Sequence, residues 1–455
     1  MEHEELRQRH LARLPDLMRD HLDRLRWPAE RLRLERRDRL RDLLRVAKTS
    51  SSWHRERLHG IDPDGFEERD LEAIPPMTKD DLMANWDAVV SDPRLTLDLA
   101  ERHIAGLTSD AYLLDEFHAV ASGGSTGRRG VFVFGWEAWA VAYAGFMRPA
   151  LWDRMVTPEL AERPNTVGLI AADNAAHMTS SLAQTFANPA TRVERFPVTQ
   201  RLERIVAGLN DLQPLVLFGY PSALVMLAVE ARAGHLRIAP ERVIASSEPL
   251  LPHVRAAVEQ AFGAPVANMY GTSEAGPMAV GCWRGPGMHL CDDLVIVEPV
   301  DRAGRPVPAG TPSDKVYVTA VSNPTLPLLR FELSDQVTLL DQRCPCGSEH
   351  RLIADVAGRH EDAFGYPGGA VVHPHVFASV LVREPAVVEY QVRQTPAGAE
   401  VLVVGGLADP ARTRRALAGE LARLGVRSPD VRVHQVDQLR RQATGKVRRY
   451  VPLAG

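Results

Sequence analysis

"RVIASSEPLLPHVRAAVEQAFGAPVANMYGTSE" occupies residues 242–274 and decides the fold. Its ends, "RVIAS" and "PVANMYG", are short β-rich runs, and "HVRAAVEQAFG" between them has the spacing of a helix. Strand, helix, strand at this spacing means a crossover connection and parallel pairing. The alternation extends upstream through "TVGLIAA", "LVLFGY" and "SALVMLAVEARAG", so residues 166–270 predict a largely parallel sheet covered by helices. Ligands of such sheets bind beyond the carboxyl ends of the strands. That places "YGTSE" (270–274) like a site loop.

Outward from this unit the pattern changes. Leu11, Leu14, Met18, Leu22 and Leu25 recur at spacings of three and four and predict one amphipathic helix. Pro28 suits the first turn of a second helix running to about Val46. Thr78 in "PPMTKDDLMANW" has the side chain of an N-cap. Residues 289–340 read as turn-punctuated strands. After about residue 360 a smaller unit begins: the hairpin "VVEYQVRQTPAGAEVLVVGG", the helix "ARTRRALAGELARLG" and the strand "VRVHQV". The expected fold is α/β, with a large N-terminal domain (1–360) holding the crossover sheet and a β-rich subdomain. A small, mobile α+β domain (361–455) follows.

The composition bounds the partners. Formal net charge is -4, so no global field recruits nucleic acid or anionic lipid. Residues 1–47 carry 13 Arg against 10 Asp plus Glu, interspersed, which reads as a solvated helix face. The N-terminus lacks the apolar core of a signal peptide, and no apolar run approaches the ~18 residues of a membrane span. A cytoplasmic chain is expected, and there clustered cysteines more often bind metal or do chemistry than pair.

Four loops could carry chemistry. "ASGGSTGRRGVFVF" (121–134) packs glycines and hydroxyls that can close on an anion, although taken alone the stretch reads rather better as a plain hairpin turn. In "YGTSE", Glu274 could hold Mg²⁺ together with phosphate oxygens. Asp335, ending "RFELSD", could grip ribose hydroxyls. Near the end, "RRQATGKVRRY" (440–450) contains one of only four lysines, among 54 Lys plus Arg. A compact ammonium can sit where a planar guanidinium is too wide.

Taken in order, the Gly/Ser/Thr loop, "YGTSE", "RFELSD", "GRHED" (358–362) and "TGK" resemble the adenylate-forming superfamily of acyl-CoA synthetases. "PPMTKDDL", "FGYPSAL", "SSEPLLPHVR", "MHLCDDLVIVE" and "CPCG" resemble its phenylacetate–CoA ligase-like branch. The resemblance implies ATP-dependent activation of a carboxylic acid, aryl or arylacetic, to an acyl-adenylate, then transfer to coenzyme A. The alternatives are transfer to an amine or a carrier-protein thiol, or a non-catalytic nucleotide-binding relative.

By that resemblance Ser122, Gly123, Gly124, Ser125, Thr126 and Gly127 cradle the ATP phosphates. Ser247, Glu248, Tyr270 and Gly271 join the nucleotide site, with Asp335 on the ribose and Arg359 near the hinge at Glu361. Thr272, Glu274 (through Mg²⁺) and Lys446 serve catalysis, Lys446 lying between the attacking carboxylate and the α-phosphate. His177, Met178, Tyr220 and Ser246 are expected along the acid pocket, and a homodimer is compatible with the pattern. The chain departs from the family in "GRRG", which lacks a proline, in Ser334 where Gly is usual, and in Glu361 where Asp is commoner. "RRQATGK" also lacks an upstream proline. None of these removes a catalytic charge. Tyr366-Pro367, where relatives shape the thiol site, puts coenzyme A in more question than ATP.

All four cysteines fall between 282 and 346. Cys282, His289, Cys344 and Cys346 make a set fit for structural Zn²⁺, away from the chemistry. Cys291, two residues from His289 on a predicted strand, is the alternative fourth ligand.

Overall fold

The computed structural model describes residues 3–122, 130–171, 175–198, 200–356, 364–372, 375–381, 384, 387–441 and 447–453. β1 (Phe117–Ala121) and β2 (Val131–Gly135) pair antiparallel, with Ala121 opposite Val131. Next come β3 (Thr166–Ala171), β4 (Arg192–Pro197), β5 (Val216–Gly219), β6 (Arg242–Ser246) and β7 (Val266–Thr272), paired in parallel. Helices Met178–Thr185, Leu202–Leu212, Pro221–Arg232 and Pro252–Phe262 connect them, as the strand–helix alternation predicts.

β8 (Gly276–Gly281) and β9 (Met288–Leu290) continue the sheet antiparallel. β10 (Ile296–Val300), β11 (Lys315–Thr319) and β12 (Phe331–Leu333) form a separate antiparallel sheet. β13 (Leu339–Leu340) and β14 (Leu352–Ile353) return to the large one, giving the order β13-β14-β9-β8-β7-β6-β5-β3-β4. The long helix Trp136–Val156 packs on β8 at very close range. A Cβ on its Gly145 would meet Pro277 Cγ at 2.6 Å and Leu294 Cδ1 at 2.7 Å.

The C-terminal part has a two-stranded piece, β15 (Phe364–Gly365) with β16 (Val371–Val372), and a four-stranded sheet. In the latter, the hairpin β17 (Val387–Thr395) and β18 (Gly398–Gly405) is flanked by β19 (Asp430–Gln435) and β20 (Tyr450–Val451) in the order β19-β18-β17-β20. Helix Pro410–Arg423 starts at Asp409, whose carboxylate accepts from the Arg412 amide at 2.9 Å. The boundary expected at 360/361 lies outside the described residues. Among the described residues no helix is long and apolar enough to cross a membrane.

The N-terminal segment differs from expectation in two ways. The single amphipathic helix is two, His3–Leu11 and Leu14–Arg24, because Pro15 can start a helix but not continue one. The next helix, Ala29–Ser50, begins after Pro28 and outlasts Val46 by a turn. Nor are its arginines all solvated: Arg24 and Arg36 are buried, at 6% and 9% exposure. Arg24 meets Asp20 at 2.8 Å and Glu35 at 2.9 Å, and Arg36 meets Glu68 at 2.6 Å. Behind them Arg148 grips Asp293 with two 2.7 Å hydrogen bonds. Burial pushes the Asp293 carboxyl up, but Arg148 outweighs it and holds that group far below the usual carboxylate range. Charge interspersion on a helix resembles a wet surface and also the partner set of a buried ion network, which is why sequence misjudged it.

Candidate active site and cysteine cluster

The β1–β2 hairpin presents the Gly/Ser/Thr loop. Ser122 closes its neck, donating its amide to Gly130 O at 2.9 Å and accepting the Gly130 amide on Oγ at 2.8 Å. Gly123, Gly124, Ser125, Thr126 and Gly127 lie outside the described residues, as do Arg359, Glu361 and Lys446. The hairpin reading and the nucleotide-loop reading are compatible, since the loop connects the two strands.

"YGTSE" does not lie wholly beyond its strand. Tyr270, Gly271 and Thr272 end β7, and Ser273 and Glu274 form the turn into antiparallel β8. Thr272 Oγ1 accepts the Ala275 amide at 3.1 Å and so fixes that turn. Gly271 is required by space: a Cβ there would stand 2.4 Å from Phe146 Cζ. Tyr270 donates its hydroxyl to Asp335 Oδ2 at 3.2 Å, joining two motifs separated by 65 residues.

A third motif arrives from the N-terminal side. Met77 pairs with β12, its amide donating to Arg330 O at 3.0 Å while its carbonyl accepts from Glu332 at 2.8 Å. Thr78 then caps helix Lys79–Ala84 with a reciprocal capping box through Asp81. This entry sets Lys79 Nζ 3.3 Å from Glu274 Oε1. Glu274 is 3% exposed, and that oxygen has no hydrogen-bond donor among the described residues. A buried carboxylate oxygen with capacity to spare, in the cavity that Ser122 also lines, fits a Mg²⁺ ligand that shares the ion with phosphate oxygens. Sequence reasoning missed Lys79 as a site residue. The signal was available, because lysine is as rare in "PPMTKDDL" as in "TGK".

Every described nucleotide and acid candidate lines one cavity of about 470 Å³. Ser122, Ser247, Glu248, Thr272, Glu274 and Asp335 line it, as do His177, Met178, Tyr220 and Ser246. Ser247 takes a left-handed backbone, φ 69°, where β6 turns away. Glu248 is fixed by the Ser222 amide at 3.0 Å and hydroxyl at 3.1 Å. Ser246 donates to Met269 O at 3.1 Å. The Ala176 carbonyl accepts the Ala121 amide at 2.9 Å and so ties the His177 segment to β1.

The small domain closes the other side. Val447, Arg448, Arg449 and Tyr450 line the same cavity. Arg441 reaches across the domains, donating to Ser222 Oγ at 3.4 Å and to Glu389 at 3.1 Å. Burial pushes the Glu389 carboxyl up, with Arg441 opposing. Of the two described flanks of "QATGK", Val447 lines the cavity and Arg441 is tied to Ser222 and Glu389.

The cysteine cluster forms at the other end of β8. One ligand atom from each of Cys282, His289, Cys344 and Cys346 lies within 4.8 Å of the others. Cys344 and Cys282 sulfurs are 3.7 Å apart, far beyond a disulfide bond and equal to the edge of a tetrahedron with ~2.3 Å metal–sulfur bonds. His289 Nε2 is 3.3 Å from the Cys346 sulfur, and its Nδ1 lies 3.4 Å from His350 O. A metal-binding imidazole is commonly oriented by such a carbonyl. Hydrogen bonding from Cys282, against burial and aided by His289, holds the Cys346 thiol low.

Cys291 is not part of this set. β9 stops at Leu290, so the two-residue alternation that would align Cys291 with His289 is broken. Cys291 is buried beside Arg148, and burial pushes its thiol up to about 12. At ~3.4 Å per residue, the six residues from Gly276 to Cys282 place the cluster roughly 20 Å from the Glu274 turn.

The fold is that of the adenylate-forming CoA ligases. The chain as a whole is similar in fold to a crystal structure of 2-hydroxyisobutyryl-CoA ligase in its postadenylation state with R3-HIB-AMP. That structure gives a TM-score of 0.74 at 21% identity, covering 94% of this chain and 90% of that one. The same enzyme in its thioesterification state gives 0.60 at 20% identity over 94% and 91% of the two chains. In sequence, the chain is 28% identical over 383 residues to phenylacetate-coenzyme A ligase of Thermus thermophilus, covering 80% of this chain and 78% of the relative. No family model matches the chain. The resemblance drawn from the ordered motifs is borne out by these likenesses.

Proposed function

We propose that this chain is an AMP-forming carboxylate–CoA ligase, which joins an acid to ATP as an acyl-adenylate and passes the acyl group to coenzyme A. The observation that carries this reading is the convergence of the hairpin neck, the β7 turn, Asp335 and the small-domain segment 447–450 on one cavity. The phenylacetate ligase likeness supports the chemistry, and an arylacetic acid is the substrate its name supplies.

The residues divide the work. Ser122 holds the phosphate loop by its neck, and the Tyr270 hydroxyl orients Asp335 to accept from ribose hydroxyls. Glu274 holds Mg²⁺, which when bound neutralises charge on the ATP phosphates. Lys79 restrains the Glu274 carboxylate in its absence. Lys446 places a compact cation between the attacking carboxylate and the α-phosphate, where positioning and charge stabilisation supply most of the catalysis. Cys282, His289, Cys344 and Cys346 hold a structural Zn²⁺, a closed four-ligand site with no open position for chemistry. ATP, coenzyme A and four unpaired cysteines suit a reducing cytoplasm.

The test is acid-dependent pyrophosphate release from Mg-ATP, with and without coenzyme A. AMP and an acyl-CoA forming only when coenzyme A is present is the expected result. Stoichiometric release indifferent to coenzyme A would point to an amine or carrier-protein acceptor instead.

A further inference from the structure

A parallel sheet is ordinarily covered on both faces. β5 is only partly covered on one face. It lies between β3 and β6, yet its residues alternate: Leu217 and Gly219 are buried, whereas Val216 and Phe218 are half-exposed. Both half-exposed side chains line the cavity, as do Val167 and Leu169 of β3 and Arg242 and Ile244 of β6. All lie on one face of the sheet by the two-residue strand period.

Opposite them stands the long helix Trp136–Val156. Its residues 143, 146, 147, 150, 151 and 154 line the cavity, at helical spacings of three and four. Helix and sheet therefore leave a channel between them, and Phe186 walls it laterally. The channel starts at Ser246, at the carboxyl end of β6, and runs back to Arg242 at the strand's start. Four residues at ~3.3 Å each make it about 13 Å long.

At the far end Arg242 donates to Asp153 at 2.7 Å, and Asn165 donates to Thr191 Oγ1 at 2.8 Å. Arg154 lines the cavity as well: its Nη2 donates to the Ala161 and Arg163 carbonyls, and its buried Nη1 has no hydrogen-bond partner among the described residues. Between that end and Ser246 the lining includes the apolar side chains of Leu169, Phe218, Ile244, Phe146, Met147 and Ala150.

We infer that the channel holds the tail of the acid substrate, and that this substrate is a monocarboxylic acid with an extended, unbranched apolar chain. The length corresponds to roughly ten carbons at C–C distances of ~1.5 Å along the zigzag. The inference rests on the ligase reading for its chemistry and sets chain acids in place of the arylacetic class that the relative's name supplies.

The test is kcat/KM for acid-dependent ATP–pyrophosphate exchange, across straight-chain acids of increasing length and phenylacetate. Burial of each further methylene is expected to raise kcat/KM roughly fourfold, levelling at about ten carbons. A flat series, or phenylacetate or butyrate as best substrate, overturns the inference. Val216→Trp and Ala150→Leu should each lower the decanoate-to-butyrate ratio at least about tenfold by blocking the channel. An unchanged ratio in a folded variant also overturns it. Should Val216→Trp misfold, Ala150→Leu and the wild-type series still decide. Absence of exchange with every acid would count against the ligase reading instead. Calorimetric titration of decanoate then decides the channel: binding weakened by Ala150→Leu supports it, and no binding overturns it.

Discussion

Lys79 Nζ lies 3.3 Å from Glu274 Oε1, so the carboxylate proposed for Mg²⁺ already has a cation beside it. Lys79 arrives from a segment paired to β12, and Glu274 from the turn after β7, nearly two hundred residues later. Removing one partner of such a pair leaves a buried charge uncompensated. Lys79→Met should therefore lower stability by about 2 kcal/mol in the absence of Mg-ATP. Mg-ATP should restore more of the unfolding midpoint in the variant than it adds to wild type. Equal shifts in both proteins would sever the link between Lys79 and the metal position.

Lys446 is the residue on which adenylation is proposed to depend most. Lys446→Ala should lower acid-dependent pyrophosphate release at least about a hundredfold. Lys446→Arg should not restore it, since the guanidinium fork is too wide for the place of a point charge. Full activity in either variant would remove Lys446 from the mechanism.

Tyr270→Phe deletes the hydroxyl that donates to Asp335 at 3.2 Å. One lost hydrogen bond of about 1 kcal/mol should raise KM for ATP roughly fivefold, with kcat changed less. Asp335→Asn should raise it further. Steady-state kinetics at saturating acid separates the two constants, and an unaltered KM in both variants would place the pair outside the nucleotide site.

Acid should destabilise the chain through buried histidines. Burial pushes His21 down to about 3 and His54 down to about 4. Both folded values lie below the ordinary value of 6.5, so the unfolded chain binds the proton first. The stability contribution is complete above pH 6.5 and is lost as pH falls from there towards 4, by about 2–3 kcal/mol for each. Urea unfolding across that range should show the decline. His21→Leu should flatten it, because neither ring nitrogen of His21 has a hydrogen-bond partner among the described residues.

The crossover sheet and the small domain's hairpin, helix and strand were legible because each rests on local periodicity. The ordered motifs were legible for another reason: Gly, Ser, Thr, Glu, Asp and Lys at those places offer donors, acceptors and charge that a bare scaffold has no use for. What stayed hidden was relational. No local pattern announces that Lys79 meets Glu274, or that Arg24 and Arg36 enter a buried network with Asp293 and Asp292. The choice between His289 and Cys291 turned on where β9 stops, a boundary that periodicity fixes only loosely. The half-exposed face of β5 was equally silent, since "VLFG" reads the same whether a helix or a void lies over it.

The cysteine cluster has a bearing on the nucleotide site despite its distance. Cys282 and Cys344 are 62 residues apart in the chain, and the span between them carries β10 to β12 and Asp335. An ion that pins both ends removes freedom from the unfolded chain, an entropic restraint of roughly 4 kcal/mol for a loop of that length. Were a metal bound there, its removal would lower the stability of the fold that carries Asp335, and chelation would register as a lower unfolding midpoint before any change in the nucleotide contacts.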